Sequence, residues 1–280
     1  MKTIIFLCLA AAGRPCAGAP AHLDNPFFVF EDGLGKNPPE EEAEIARRIG
    51  FDGISFDDAK LVPERIKATD EHGLKFFFLY IAVDVSGPRP VYEPGFDEAI
   101  RQLKGHDTVV WLTIRGHGPD AEPLAVEAAR RTSDLAAEAG LRVALYPHYG
   151  FYVARLEDAL RIAGQAGRRN LGVTFNLCHE LRSGGGPDFR PLLERAMPRL
   201  FAVSINGADH TGDWDRLIQT LDRGDFDVKG LVRTLVTLGY HGPIGLQCYA
   251  IKGDVTENLQ RSMRAWREMS AQIAAAGIER

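Results

Sequence analysis

A short apolar run, a turn, and a helix that usually ends at glycine form one unit. It recurs from Asn25 almost to the C-terminus, and no other feature restricts the fold as strongly. The runs are Phe27–Phe30, Gly53–Phe56, Lys75–Val83, Val109–Ile114, Arg142–Leu145, Leu171–Phe175, Leu200–Ile205 and Ile244–Cys248. Helical spacing of apolar residues follows each run, at Glu40–Ile49, Leu61–His72, Phe96–Leu103, Ala121–Ala139, Leu156–Ala166, Phe189–Ala196, Val228–Leu238 and Val255–Ala276. The seventh helix shows the pattern best: Val228, Leu231, Val232, Leu235 and Leu238 share one face, and Gly239 stops it. Continuous rather than alternating apolar runs are expected of parallel strands buried on both faces. Eight such units in about 250 residues predict a single α/β domain, a closed (β/α)8 barrel. An open doubly wound sheet would favour a G-x-G-x-x-G turn after the first strand, and the sequence has none.

No linker or composition break interrupts the units, so residues 25–280 read as one domain. Residues 1–21 differ in kind. Met1-Lys2 leads into the apolar stretch Thr3–Ala12, and small residues and prolines continue to Ala21. A short positive start, an apolar core and A-x-A-like sites predict a secretory leader and an exported protein, periplasmic or secreted. Two of the four cysteines, Cys8 and Cys16, lie in that leader. The remaining Cys178 and Cys248 fall near strand ends of a large domain, so no disulfide framework is expected. The net charge of -5 argues against a nucleic-acid partner, which requires a basic surface. No apolar run reaches the roughly 20 residues of a membrane span, so no membrane partner is expected after leader removal.

A barrel of this kind carries its chemistry at the C-terminal ends of the strands. Those ends hold Glu31 and Asp32, Asp57 and Asp58, Asp84, Arg115 and His117, Tyr146 and His148, Asn176 and His179, Ser204, Asn206 and Asp209, then Gln247 and Tyr249. Gln247 is conspicuous because a polar side chain at the end of an apolar strand must find hydrogen-bond partners or face a ligand.

Four segments carry a resemblance: AGLRVALYPHYG, GVTFNLCH, LFAVSINGAD and the stretch from Leu221 to Gln247. They resemble the xylose isomerase-like TIM barrels, the sugar phosphate isomerase/epimerase group that includes endonuclease IV-like enzymes. That resemblance implies a metal site of Glu, Asp, His and Glu at four strand ends. This sequence has Tyr146, Asn176, Ser204 (or Asn206) and Gln247 there. A divalent ion such as Mn or Mg needs carboxylates to offset its dehydration. The expectation is therefore no metal cofactor and an altered site. Glu31, Tyr146, Asn176, Ser204, Asn206 and Gln247 are expected to bind a small sugar-like ligand. His148 and His179 are expected to act as acid and base near neutral pH. Phe151, Tyr152 and Tyr249 offer stacking faces. The implied activity is that of a sugar isomerase or epimerase. A non-catalytic carbohydrate-binding barrel is the alternative, and a metal-dependent hydrolase or endonuclease IV-like enzyme ranks below both.

Overall fold

The computed structural model describes residues 22–186 and 188–276. The leader expected at residues 1–21 lies outside them. The chain order is β1 (Phe27–Phe30), α1 (Pro39–Ile49), β2 (Gly53–Phe56), α2 (Val62–Glu71), β3 (Lys75–Asp84), β4 (Val91–Tyr92), α3 (Phe96–Gln102), β5 (Val109–Arg115), α4 (Ala121–Glu138), β6 (Arg142–Leu145), α5 (Leu156–Ala166), β7 (Leu171–Asn176), α6 (Leu177–Arg182), α7 (Arg190–Ala196), β8 (Leu200–Ile205), α8 (Trp214–Leu217), α9 (Val228–Thr237), β9 (Ile244–Leu246) and α10 (Val255–Ala275).

The strands pair in the order β2-β1-β9-β8-β7-β6-β5-β3, and β2 pairs with β3 to close the ring. All of these pairings are parallel. The expected eight-stranded barrel is therefore formed. The two-residue β4 runs antiparallel on the end of β3, outside the ring. Helices α1, α2, α4 and α5 pack directly on the strands. On α9 the buried residues are Val228, Leu231, Val232, Leu235 and Val236. Gly50 ends α1 in a left-handed conformation at φ 101°, returning its N–H to the Ala46 carbonyl. That reversal feeds the chain directly into β2.

Aromatic side chains fill the barrel interior. Phe78 stacks on Trp111 at 4.1 Å, Phe28 lies 5.0 Å from Phe78, and Phe30 lies 5.1 Å from Trp111. Tyr146 closes this stack 4.8 Å from Trp111. The stack is a rigid floor beneath the C-terminal rim. Truncating any of these rings to alanine is expected to cost about 3–5 kcal/mol.

The sequence reading differs from the structure at short elements. It has no helix at Leu177–Arg182 and none at Trp214–Leu217, because six and four residues are too few to show a helical period. It also extends the last strand to Cys248, whereas β9 ends at Leu246 and leaves Gln247 on the rim.

Candidate functional site

A cavity of about 430 Å³ opens at the C-terminal end of the barrel. Phe30 and Tyr146 form its floor, Tyr80, Trp214 and Ile218 its sides, and the exposed Tyr249 its mouth. His148, His179, Gln247, Asp32 and Asp57 supply its polar groups.

The two histidines follow β6 and β7. His179 sits in the first turn of α6, whose N-cap is Asn176. The Asn176 Oδ1 accepts from the His179 backbone N–H. The imidazole rings lie 4.1 Å apart, and Phe151 stacks on His148 at 4.0 Å. The backbone of one residue, Tyr149, controls both rings. The Tyr149 carbonyl lies 2.9 Å from His148 Nδ1, and a carbonyl can only accept. His148 therefore carries its proton on Nδ1 and presents a bare Nε2. The Tyr149 N–H donates to His179 Nδ1 at 3.3 Å. His179 is therefore protonated on Nε2. Burial holds the His148 pKa below the usual imidazole value, with the Arg115 charge adding to the effect. Burial and the neighbouring His148 hold His179 well below it. The pair is neutral, with one acceptor and one donor.

Next to them, three of the four strand-end positions converge on one oxygen. Asn176 Nδ2 donates to the Tyr146 hydroxyl, and Gln247 also hydrogen-bonds it. Gln247 Oε1 accepts from the Tyr249 N–H at 2.9 Å, which turns its amide nitrogen toward Tyr146. The same Asn176 Oδ1 that caps α6 also accepts from the Cys178 thiol, at 3.1 Å. A phenol hydroxyl is thus the hub of the network. Burial raises the Tyr146 pKa well above 10, so the hydroxyl stays protonated.

Across the barrel stand the acids. Asp32 follows β1 and Asp57 follows β2. Both line the cavity and are hydrogen-bonded to each other. Two carboxyl groups can bond only when one carries a proton. Burial raises both, and the Asp32 and Glu31 charges help push Asp57 up to about 9.

Other expected binding residues stand behind the cavity wall. Glu31 does not line it: its carboxylate accepts from the buried Arg65 guanidinium at 2.5 Å and from the Asp57 N–H at 2.9 Å. Arg65 is a fixed cation that a carboxylate at this position must satisfy, so Glu31 orients Asp57 instead of meeting a ligand. Ser204 is fully buried on β8, and its hydroxyl has no partner. Asn206 donates to the Leu217 carbonyl at 2.6 Å and to the Gly207 carbonyl at 2.9 Å. It thereby anchors the loop that carries Trp214 and Ile218 to the cavity. Of the expected stacking residues, Tyr249 lies at the mouth, Phe151 backs His148, and Tyr152 is bonded to Glu122 away from the cavity. Tyr80 and Trp214 line the cavity without having been singled out in the sequence. Tyr80 is hidden within an apolar strand, and Trp214 opens the four-residue α8, which is too short to show a helical period.

Residues 43–269 match the family described as xylose isomerase-like TIM barrel. The chain belongs to that family. It is 25% identical over 230 residues to a 3-dehydroshikimate dehydratase of Pseudomonas aeruginosa, covering 75% of this chain and 36% of the relative. The chain thus spans about a third of that relative's length. Among solved structures, the IolI protein with a bound zinc atom superposes with a TM-score of 0.71 at 17% identity, covering 88% of this chain and 98% of that one. A 3-keto-D-glucoside 4-epimerase of Escherichia coli superposes with a TM-score of 0.69 at 15% identity, covering 87% and 99%. These structural likenesses concern the fold.

At the strand ends where the resemblance implies metal ligands, the residues present do not fit a divalent ion. The four strand ends bring a phenol, two amides and a hydroxyl, and the amides are committed to the phenol. Among the described residues no three His, Cys, Asp or Glu side chains are grouped to share a metal ion. Asp32 and Asp57 are bonded to each other on the opposite wall.

Proposed function

We propose that this barrel binds a polyhydroxylated carbonyl compound of sugar size. It moves a proton at the carbon beside the carbonyl, as an isomerase or epimerase does, without a divalent metal. The observation that carries this reading is the neutral histidine pair with opposite tautomers on the wall of a 430 Å³ cavity. That volume lies within the roughly 300–1,000 Å³ usual for small-molecule sites. A silent sugar-binding wall needs no bare imidazole nitrogen.

His148 Nε2 takes the proton from carbon, and the electron pair moves onto the carbonyl oxygen. The developing negative charge meets the His179 Nε2–H and the Tyr146 hydroxyl, both held in place before substrate arrives. Preorganised donors of this kind stabilise an oxyanion because little reorganisation is needed during the step. Phe30, Tyr80, Trp214 and Tyr249 surround the apolar faces of the ligand. In solution, the ketohexoses and ketopentoses incubated in D₂O with EDTA should take up deuterium at the carbon beside the carbonyl. His148→Gln should lower that exchange by about 100-fold or more. Exchange that appears only after Mn, Mg or Zn is added, or that survives in the variant, would overturn the reading. Sugar binding without exchange would favour the non-catalytic carbohydrate-binding alternative.

The similarity to a 3-dehydroshikimate dehydratase supports a second reading, elimination. Its first step is the same proton abstraction, followed by loss of the β-hydroxyl group. Incubation with 3-dehydroshikimate, followed by the ultraviolet absorbance of an aromatic product, distinguishes it.

A further inference from the structure

The hydrogen-bonded carboxyl pair Asp32–Asp57 has no part in the chemistry assigned to the histidines, yet it lines the same cavity. Its location follows from strand order. From β1 to β6 there are four strand steps around the ring in either direction, and the same holds from β2 to β7. Asp32, after β1, is therefore diametrically opposite His148, after β6. Asp57, after β2, is likewise opposite His179, after β7. A ligand in the cavity lies between a proton acceptor on one wall and a proton-carrying pair on the other.

Local structure keeps a proton on that pair. The Asp57 backbone N–H is held by Glu31, which Arg65 anchors from behind. Arg65 is also bonded to Asp58, at 3.0 Å. Its charge is thus divided between Glu31 and Asp58; Lys36 beside Asp32 and Arg65 behind Asp57 offset only part of the effect of burial, so the two adjacent carboxyls retain a proton.

We propose that Asp32–Asp57 is a second catalytic group that delivers its shared proton to the ligand face opposite His148. This makes the reaction an inversion at carbon rather than a transfer along one face. The inference rests on the proton-transfer reading above and deepens it. The balance closes without a co-reactant. His148 Nε2 gains the proton from carbon and the C–H electron pair becomes the enolate. The enolate carbon then takes the carboxyl pair's proton on its other face and the carbonyl reforms. His148 ends as imidazolium and the pair as two carboxylates, and the same total proton count runs the reverse reaction. The resting form, neutral His148 with one proton on the pair, takes the epimer whose hydrogen faces His148.

Two measurements test this. Infrared difference spectra of the full protein at neutral pH, parent minus Asp32→Asn and parent minus Asp57→Asn, cancel the bands of the buried Glu42 and Glu180 and should each show a protonated carboxyl band that the variant has lost. In D₂O with the ketohexoses and ketopentoses, Asp57→Asn should lower conversion to the inverted epimer by about 100-fold while exchange at the His148 face falls by less than about 10-fold. Absence of the band, or its persistence in both variants, overturns the shared proton whatever the activity. Equal loss of conversion and exchange, conversion within about threefold of the parent, or carboxyl-pair-dependent elimination in place of inversion overturns the assigned role while leaving the proton-transfer reading standing. A parent protein that shows the band but exchanges none of these sugars refutes that reading and this role with it.

Discussion

Replacing Tyr146 with phenylalanine removes one oxygen from the centre of the site. The ring and its packing against Trp111 remain, so no cavity larger than a hydroxyl group forms. What is lost is the acceptor for Asn176, which is fully buried, and for Gln247, which is 6% exposed. A buried donor without a partner costs about 1–3 kcal/mol, so two amides set a ceiling of about 6 kcal/mol. Partial relaxation of Gln247 toward the cavity lowers this, and about 2–4 kcal/mol is expected. For a domain of this size that corresponds to a fall in Tm of about 4–15 °C. Urea unfolding followed by circular dichroism measures it, with the slope unchanged if the native fold is retained. A paired control separates the hydrogen bonds from the ring. Adding Gln247→Leu to Tyr146→Phe removes donor and acceptor together, and the double variant should lie about 1–2 kcal/mol above the sum of the single effects. A Tyr146→Phe protein within about 0.5 kcal/mol of the parent would refute the hub, as would strict additivity of the two changes.

Three further outcomes are expected. Glu42 is almost fully buried on α1, and burial with the neighbouring Glu31 charge raises its pKa to about 8. The folded state binds this proton more tightly than the unfolded chain, so the stability it contributes is present below about pH 4.5 and is lost as pH rises through about 8. Glu42→Gln should match the parent at pH 4.5 and exceed it by about 2–4 kcal/mol at pH 9, and equal stabilities at both pH values in urea unfolding would contradict this. Combining Tyr146→Glu, Asn176→Asp, Ser204→His and Gln247→Glu replaces the phenol hub with converging metal ligands, and calorimetry should detect Mn or Zn binding to this variant that the parent lacks. Gly224 has φ 95°, and a Cβ there would lie 2.0 Å from the Ala208 carbonyl oxygen; Gly224→Ala should therefore destabilise the loop after β8 by more than about 2 kcal/mol, measured by thermal unfolding.

The closed barrel was legible in the residues because it follows from local pattern. Val228, Leu231, Val232 and Leu235 recur at helical spacing, and Phe27–Phe30 and Val109–Leu112 are continuously apolar. These periods report which face of each element is buried, and eight buried parallel strands have few ways to satisfy their edges other than closure. The neutral residue types Tyr146, Asn176 and Gln247 at strand ends were also visible, since they depend only on position along the chain. The relations across the ring were not. Glu31 and Asp32 are adjacent and chemically alike, yet the buried Arg65 claims the first and leaves the second to the cavity. No sequence period distinguishes them. The opposite tautomers of His148 and His179 depend on the two ends of Tyr149's backbone, and the placement of Asp57 depends on three strands intervening on either side. Sequence determined the scaffold and the residue types on its rim. Tertiary structure decided which rim groups bond one another and which face the ligand, because those contacts join residues brought together only when the barrel closes.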